Sequence, residues 1–270
     1  MELARVIHHA RLYGTSIGLM KGVSLLMLPF IAQQLSADDF GRLEVAGSLA
    51  VIGSIMIGLG LEDSLYRFAG AHNEQHARRR VAAVIYTLTL FAAAIVIPLA
   101  WLLAAPLSSW LPGQLSSYEV TLVLSLLALE GAIAVPLGWL RMRDQALSFF
   151  TLTTGRAGLQ ALLTLLLLSE GRQVAGVLEA GVISALLQAL LLAWLQLRDS
   201  GIGVDKIIIR QALVYGLPLV ASGLLAFSIS GLDRWIIADQ VSLSDAAHFG
   251  IAAKFALATV LLLQPYGMWW

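Results

Sequence analysis

The stretch LYGTSIGLMKGVSLLMLPFIAQQL, residues 12–35, decides how the chain is read. Lys21 is its one charged residue. A helix rises about 1.5 Å per residue, so a run of this length crosses the ~30 Å hydrocarbon core of a bilayer. A secretory leader has a shorter apolar run, about 7–15 residues, followed by a small-residue cleavage site. No such site follows here, so the stretch is read as a retained spanning helix. Similar runs recur at 42–62, 81–103, 119–140, 147–168, 174–195, 211–233 and 247–267. With 12–34 they make about eight spans. Lipid offers no partner to free backbone groups, so each span is expected to be helical. The fold class is therefore all-α, a polytopic membrane helix bundle.

Composition agrees. Of 270 residues, 59% are hydrophobic and 13% charged, and the mean hydropathy is +0.82. A soluble domain carries about 25% charged residues. The formal net charge is zero, which gives no footing for a nucleic-acid partner. Cysteine is absent, which excludes disulfides, thiolate metal sites and a cysteine nucleophile. No cofactor is expected.

Basic flanks stay in the cytoplasm, so they orient the chain. With the N-terminus inside, the inner flanks carry Arg5, Arg11, Arg67, Arg78, Arg79, Arg80, Arg141, Arg143, Arg198, Lys206 and Arg210, and the outer ones only Arg172. Trp101, Trp110, Trp139, Trp194, Trp269 and Trp270 lie at or near span ends, where interfacial belts form.

Five basic residues remain: Lys21, Arg42, Arg156, Arg234 and Lys254. They fall within or at the edge of spans, as do Glu44, Glu62, Glu130, Glu179 and Asp233. A charge at the bilayer centre costs at least about 2.5–3.5 kcal/mol. The expected destination is a hydrated, protein-lined cavity. For Arg42 and Arg234 the headgroups are an alternative. Helical spacing sharpens this expectation. Lys21 shares a face with the row Gly14, Gly18 and Gly22. Glu44 and Glu62 are five turns apart in one helix, on one face and roughly 27 Å apart. Thr153, Arg156, Gln160 and Thr164 form a polar stripe, and Lys254 sits in a row with Gly250 and Ala258.

The two ends of the chain resemble each other. Tyr13-Gly14 near the start of the first span corresponds to Tyr215-Gly216 in the seventh. Phe40-Gly41 after the first span corresponds to Phe249-Gly250 after the seventh. An even number of spans separates the copies, so the repeat is parallel, as in transporters whose halves face a central site. It divides the chain into residues 1–200, a six-helix lobe, and 201–270, the beginning of a second lobe. On this repeat the sequence looks like about two-thirds of a twelve-helix or larger protein, apparently truncated.

The same residues carry a family resemblance. KGVSLLMLPFIAQQLSADDFG (residues 21–41), with Gly58-Leu59-Gly60-Leu61-Glu62 and Arg67-Phe68, resembles the N-terminal signature of bacterial polysaccharide exporters. Tyr215-Gly216-Leu217-Pro218, Asp233-Arg234-Trp235 and Phe249-Gly250 with Ala253-Lys254 look like the start of their second lobe. These exporters belong to the multidrug/oligosaccharidyl-lipid/polysaccharide (MOP) exporter superfamily. The resemblance implies a multi-pass inner-membrane flippase. Its substrate would be an undecaprenyl-diphosphate-linked oligosaccharide for O-antigen or exopolysaccharide, and its partners membrane lipids and glycan-assembly proteins. Lys21, Arg156, Lys254 and Arg234 then stand as cavity cations for the diphosphate. Glu44, Glu130, Asp233 and Glu179 stand as carboxylates for ion coupling.

Other motifs have plainer readings. Gly14-Thr15-Ser16-Ile17-Gly18 fits a nucleophile elbow by spacing, but that motif needs a strand-to-helix turn and this one lies inside a spanning helix. His72 and His76 lie in a basic flank, as do His8 and His9. A membrane enzyme would need a polar catalytic loop, and residues 104–118 and 196–210 carry no acid/base constellation. The alternatives to a flippase are a cation-coupled drug antiporter of the same superfamily and a non-functional fragment of a flippase.

Overall fold

The computed structural model describes the backbone of residues 2–267 and the side chains of residues 12–256 except 13, 17 and 230. Trp269 and Trp270 lie outside the described residues, as do the side chains of Arg5, His8, His9 and Arg11. The described chain is helical throughout: α1 (Glu2–Gln34), α2 (Ala37–Gly58), α3 (Leu61–Gly70), α4 (Gln75–Trp110), α5 (Ser117–Met142), α6 (Ala146–Ser169), α7 (Gln173–Asp199), α8 (Lys206–Ser230), α9 (Leu232–Gln240) and α10 (Leu243–Gly267). Among the described residues seven helices are long and apolar enough to cross a membrane: α1, α2 and α4–α8. The eighth expected span falls on α10, where side chains beyond 256 are outside the description.

Helix starts follow local chemistry. Ser36 caps α2 by accepting the Asp39 amide. Ser116 and Glu119 form a reciprocal capping box at α5, and Asp205 caps α8 by accepting from Ile207 and Ile208. Each cap satisfies amides that the first turn of a helix leaves unpaired.

The second span departs from the sequence-based expectation. α2 stops at Gly58, because Leu59 and Gly60 both turn left-handed, with φ 48° and 62°. Two such residues cannot continue a right-handed helix. Glu44 and Glu62 therefore lie on separate helices, and the expected single-helix stripe between them does not exist. Residues 234–246, which lie between the seventh and eighth expected spans, are largely helical, in α9 and the start of α10.

The central helix is α5. Its Val120, Val123 and Leu127 pack with Val45, Leu49 and Val174. Val135 and Trp139 pack with Leu61, Leu65, Ile85 and Tyr86, and Ile133 and Leu140 with Ala185 and Leu192. α1 runs along α6, α8 lies on α2–α4, and α10 lies on α2. Large apolar side chains such as Leu26, Leu102, Leu190 and Ile229 are exposed, while Ala82, Ala128, Ala180 and Ala212 are buried. Such a distribution suits lipid, where small residues allow close helix approach. Trp101, Trp110 and Trp194 are exposed, but Trp139 is buried and donates its ring N–H to Asp199 at 2.7 Å. Trp139 is thus a core residue rather than part of an interfacial belt.

The basic flanks of α4, α5, α7 and α8 meet at one end of the bundle. Asp199 accepts from Arg79 at 3.2 Å and pairs with Arg143 at 2.5 Å. Arg80 pairs with Asp205 at 2.7 Å, and Arg78 donates to the Met142 carbonyl at 3.2 Å.

Candidate functional site: paired charges in three adjoining cavities

Among the described residues, three adjoining cavities between the helices take up charged side chains of the spans. The first, about 480 Å³, is walled by α1, α3, α5, α6 and α7. The second, about 540 Å³, lies between α2, α3, α4, α5 and α8. The third, about 760 Å³, is bounded by α2, α5–α7 and α8–α10. Glu62, Glu130 and Ala134 line both the first and the second. Gln160 and Val177 line both the first and the third.

The α6 stripe faces the first cavity, as its spacing predicts: Thr153, Arg156, Gln160 and Thr164 all line it. Arg156 is not a free cation there. Its guanidinium grips both Glu130 oxygens and donates to Gln188 Oε1 at 3.1 Å. Gln188 in turn donates to the Leu152 carbonyl at 3.2 Å, which aims its own oxygen at Arg156. A second pair borders the same space. Arg141 reaches Glu62 at 2.5 Å, and the Tyr66 hydroxyl donates to Glu62 at 3.3 Å.

The third cavity holds the other cluster. Glu44 on α2 is buried, and accepts from Arg234 Nε on α9 at 3.1 Å and from Lys254 Nζ on α10. The Lys254 ammonium also lies 5.1 Å from the centre of the Phe40 ring, on the face that attracts cations. Gly250 makes room for this cluster, since a Cβ there would overlap the Glu44 carboxylate. Asp233 is exposed and lines the same cavity.

The remaining named residues sit apart. Lys21 is exposed on α1 and makes no ion pair among the described residues. Gly14, Gly18 and Gly22 beside it have nothing within 4 Å of where a Cβ would stand. Glu179 accepts from Tyr118 at 2.8 Å and from Arg172 at 3.0 Å, tying the starts of α5 and α7 together. Arg42 is paired within the protein: it binds Asp39 at 3.1 Å and Glu119 at 2.6 Å. Ser16 is buried and hydrogen-bonded to Thr153 at 2.6 Å, a helix contact rather than a nucleophile's setting. His72 and His76 are exposed.

Sequence reasoning passed over Gln188 and the Arg141–Glu62 pair. A glutamine in the middle of an apolar run was the available signal for the first. The second had none, because Arg141 follows the expected end of its span and meets Glu62 only through packing.

Fold and cavities define a polytopic helical membrane protein that keeps opposite charges paired inside its bundle. Residues 9–269 match the family described as polysaccharide biosynthesis protein, and the chain belongs to that family. The resemblance to polysaccharide exporters of the MOP superfamily is thereby borne out. Solved structures share the fold, two MATE structures among them. The MATE multidrug transporter DinF-BH, solved as a complex, is 14% identical with a TM-score of 0.70, over 96% of this chain and 61% of that one. A second structure, "MATE in complex with Br-NRF", is 17% identical with a TM-score of 0.61, over 90% of this chain and 62% of that one. The chain thus spans about three-fifths of the length of these structures. A search of curated proteins gives no match.

Proposed function

We propose that this chain belongs to a transporter that flips a lipid-diphosphate-linked oligosaccharide, an O-antigen or exopolysaccharide unit, across the bacterial inner membrane. The observation that carries this reading is the Arg234–Lys254 pair in the largest of the three cavities, where α9 and α10 meet α2. A diphosphate crossing a low-dielectric interior needs fixed cations, and charge-assisted bonds to phosphate oxygens are the strong ones. Family membership points to glycan assembly. In this reading residues 1–200 form one lobe and 201–270 begin the second, with the N-terminus in the cytoplasm. Arg156, held by Glu130, and the exposed Lys21 are further cations for the path. Glu44, Glu130, Asp233 and Glu179 are the carboxylates proposed for ion coupling. Membrane lipids and glycan-assembly proteins are the proposed partners.

The test is a deletion of the chromosomal gene, with lipid-linked oligosaccharide measured in the inner leaflet. The expected result is accumulation, relieved by the wild-type gene and not by Arg234→Ala or Lys254→Ala. Absence of accumulation overturns the reading. Loss of organic-cation efflux in its place selects the drug-antiporter alternative, and loss of neither selects a non-functional fragment.

A further inference from the structure

We propose that Glu44 is the resident anion of the Arg234–Lys254 site, a stand-in that a phosphate-bearing ligand must displace in order to bind. This rests on the flippase reading and adds a competitor to it. The two oxygens of Glu44 are divided between the two cations: Oε2 accepts from Arg234 Nε at 3.1 Å and Oε1 from Lys254 Nζ. Two cations spaced to take the two oxygens of one carboxylate are also spaced to take two oxygens of one phosphate.

The seat is shaped for the carboxylate. Gly250 leaves the space that Glu44 fills, and the Glu44 side chain is 5% exposed. The cavity beside it, about 760 Å³, is otherwise mostly apolar, with Leu43, Val51, Val123 and Phe227 among its walls. Two cations facing such a space without a counter-ion would be costly. Glu44 removes that cost while the site is empty. Asp233 lines the same cavity and adds one further negative charge, so with Glu44 in place the cluster presents no net positive charge.

Displacement is open to this geometry because the partners sit on different elements. The cations come from α9 and α10, and the carboxylate from α2. Separating α2 from the α9–α10 pair would take Glu44 away from both cations together. The Lys254 side chain is 37% exposed, so the site is reached from the cavity along the lysine. Glu44 thereby sets how tightly an anion is held, and makes the site weak enough to release its cargo.

The experiment uses the purified protein in nanodiscs, with binding read from tryptophan fluorescence, since Trp235 adjoins Arg234. Two probes separate the possible sources of phosphate: inorganic pyrophosphate, and a polyprenyl diphosphate doped into the nanodisc. Glu44→Gln is expected to tighten binding of at least one probe by about tenfold. Arg234→Gln with Lys254→Gln is expected to abolish it. Unchanged or weaker binding by Glu44→Gln overturns the competitor role, even where the double cation variant loses binding and the flippase reading stands. No binding by wild type or by Glu44→Gln overturns both. Should Glu44→Gln fail to fold, Glu44→Asp decides. Its shorter reach loosens the grip on both cations, so tightening supports the proposal and unchanged affinity overturns it.

Discussion

Gly60 and Gly216 are in backbone contact: a Cβ on Gly60 would lie 2.8 Å from the Gly216 Cα, and one on Gly216 would overlap the Leu59 carbonyl oxygen. This is where α8 crosses the break between α2 and α3. Gly216 belongs to the second Tyr-Gly pair of the repeat, and Gly14 is its counterpart in the first. The two glycines differ in surroundings, since Gly14 has nothing within 4 Å.

The contrast gives a paired prediction. Gly216→Ala forces a methyl group into backbone and is expected to destabilise by about 1–3 kcal/mol, the usual cost of overpacking. Gly14→Ala gains helix propensity without a clash, and is expected to leave stability unchanged or slightly raised. Thermal unfolding of both variants in the same detergent checks this. Equal midpoints would mean that α8 does not rest on the α2–α3 break.

Arg156 and Glu130 are expected to act as one unit. Removing either leaves the other half-buried without its partner, whereas removing both leaves neutral groups. Arg156→Gln and Glu130→Gln should each lower the unfolding midpoint in nanodiscs. The double variant should lose less than the sum, with a coupling of about 0.5–3 kcal/mol. Strict additivity would show that the contact contributes nothing in the membrane.

The sequence made the spans legible wherever a helix ends in its own turn chemistry. The expected 119–140, 147–168 and 174–195 fall on α5, α6 and α7 within a few residues. The break after Gly58 was not legible. Residues 42–62 are nearly unbroken in apolar character after Glu44, and the contact at Gly60 comes from residue 216. Charges inside spans could be named from spacing, and the α6 stripe was placed on the correct face. Their partners could not be named. Glu44 meets Arg234 and Lys254 across about 200 positions, and no local pattern encodes that meeting.

Ser16 separates a structural from a catalytic role. Its hydroxyl lies 2.6 Å from that of Thr153, and both side chains are buried. Interhelical polar contacts in membranes average about 0.6 kcal/mol, so Ser16→Ala is expected to lower stability by about that amount. A fluorophosphonate probe should leave wild-type Ser16 unlabelled, as read by peptide mass spectrometry. Labelling at Ser16 would revive the nucleophile reading.

Asp205 offers a pH test outside the membrane spans. Its carboxylate accepts the Ile207 and Ile208 amides at 2.9 and 3.4 Å, and the Arg80 guanidinium at 2.7 Å. The two amide bonds first, and Arg80 after them, hold its pKa below the ordinary carboxylate value. A depressed pKa in the folded state contributes stability that is fully present above the unfolded pKa, about 3.9. That contribution is lost as pH falls through the lower folded value. Asn caps helices as well as Asp does, so Asp205→Asn removes the charge and keeps the cap. Wild type is expected to unfold at a higher temperature than Asp205→Asn at pH 7, and the gap should close only below about pH 4. Acid effects elsewhere are common to both chains and cancel in the difference. A gap that stays constant down to pH 3 would show that the Asp205 charge does not contribute to holding α8 against Arg80.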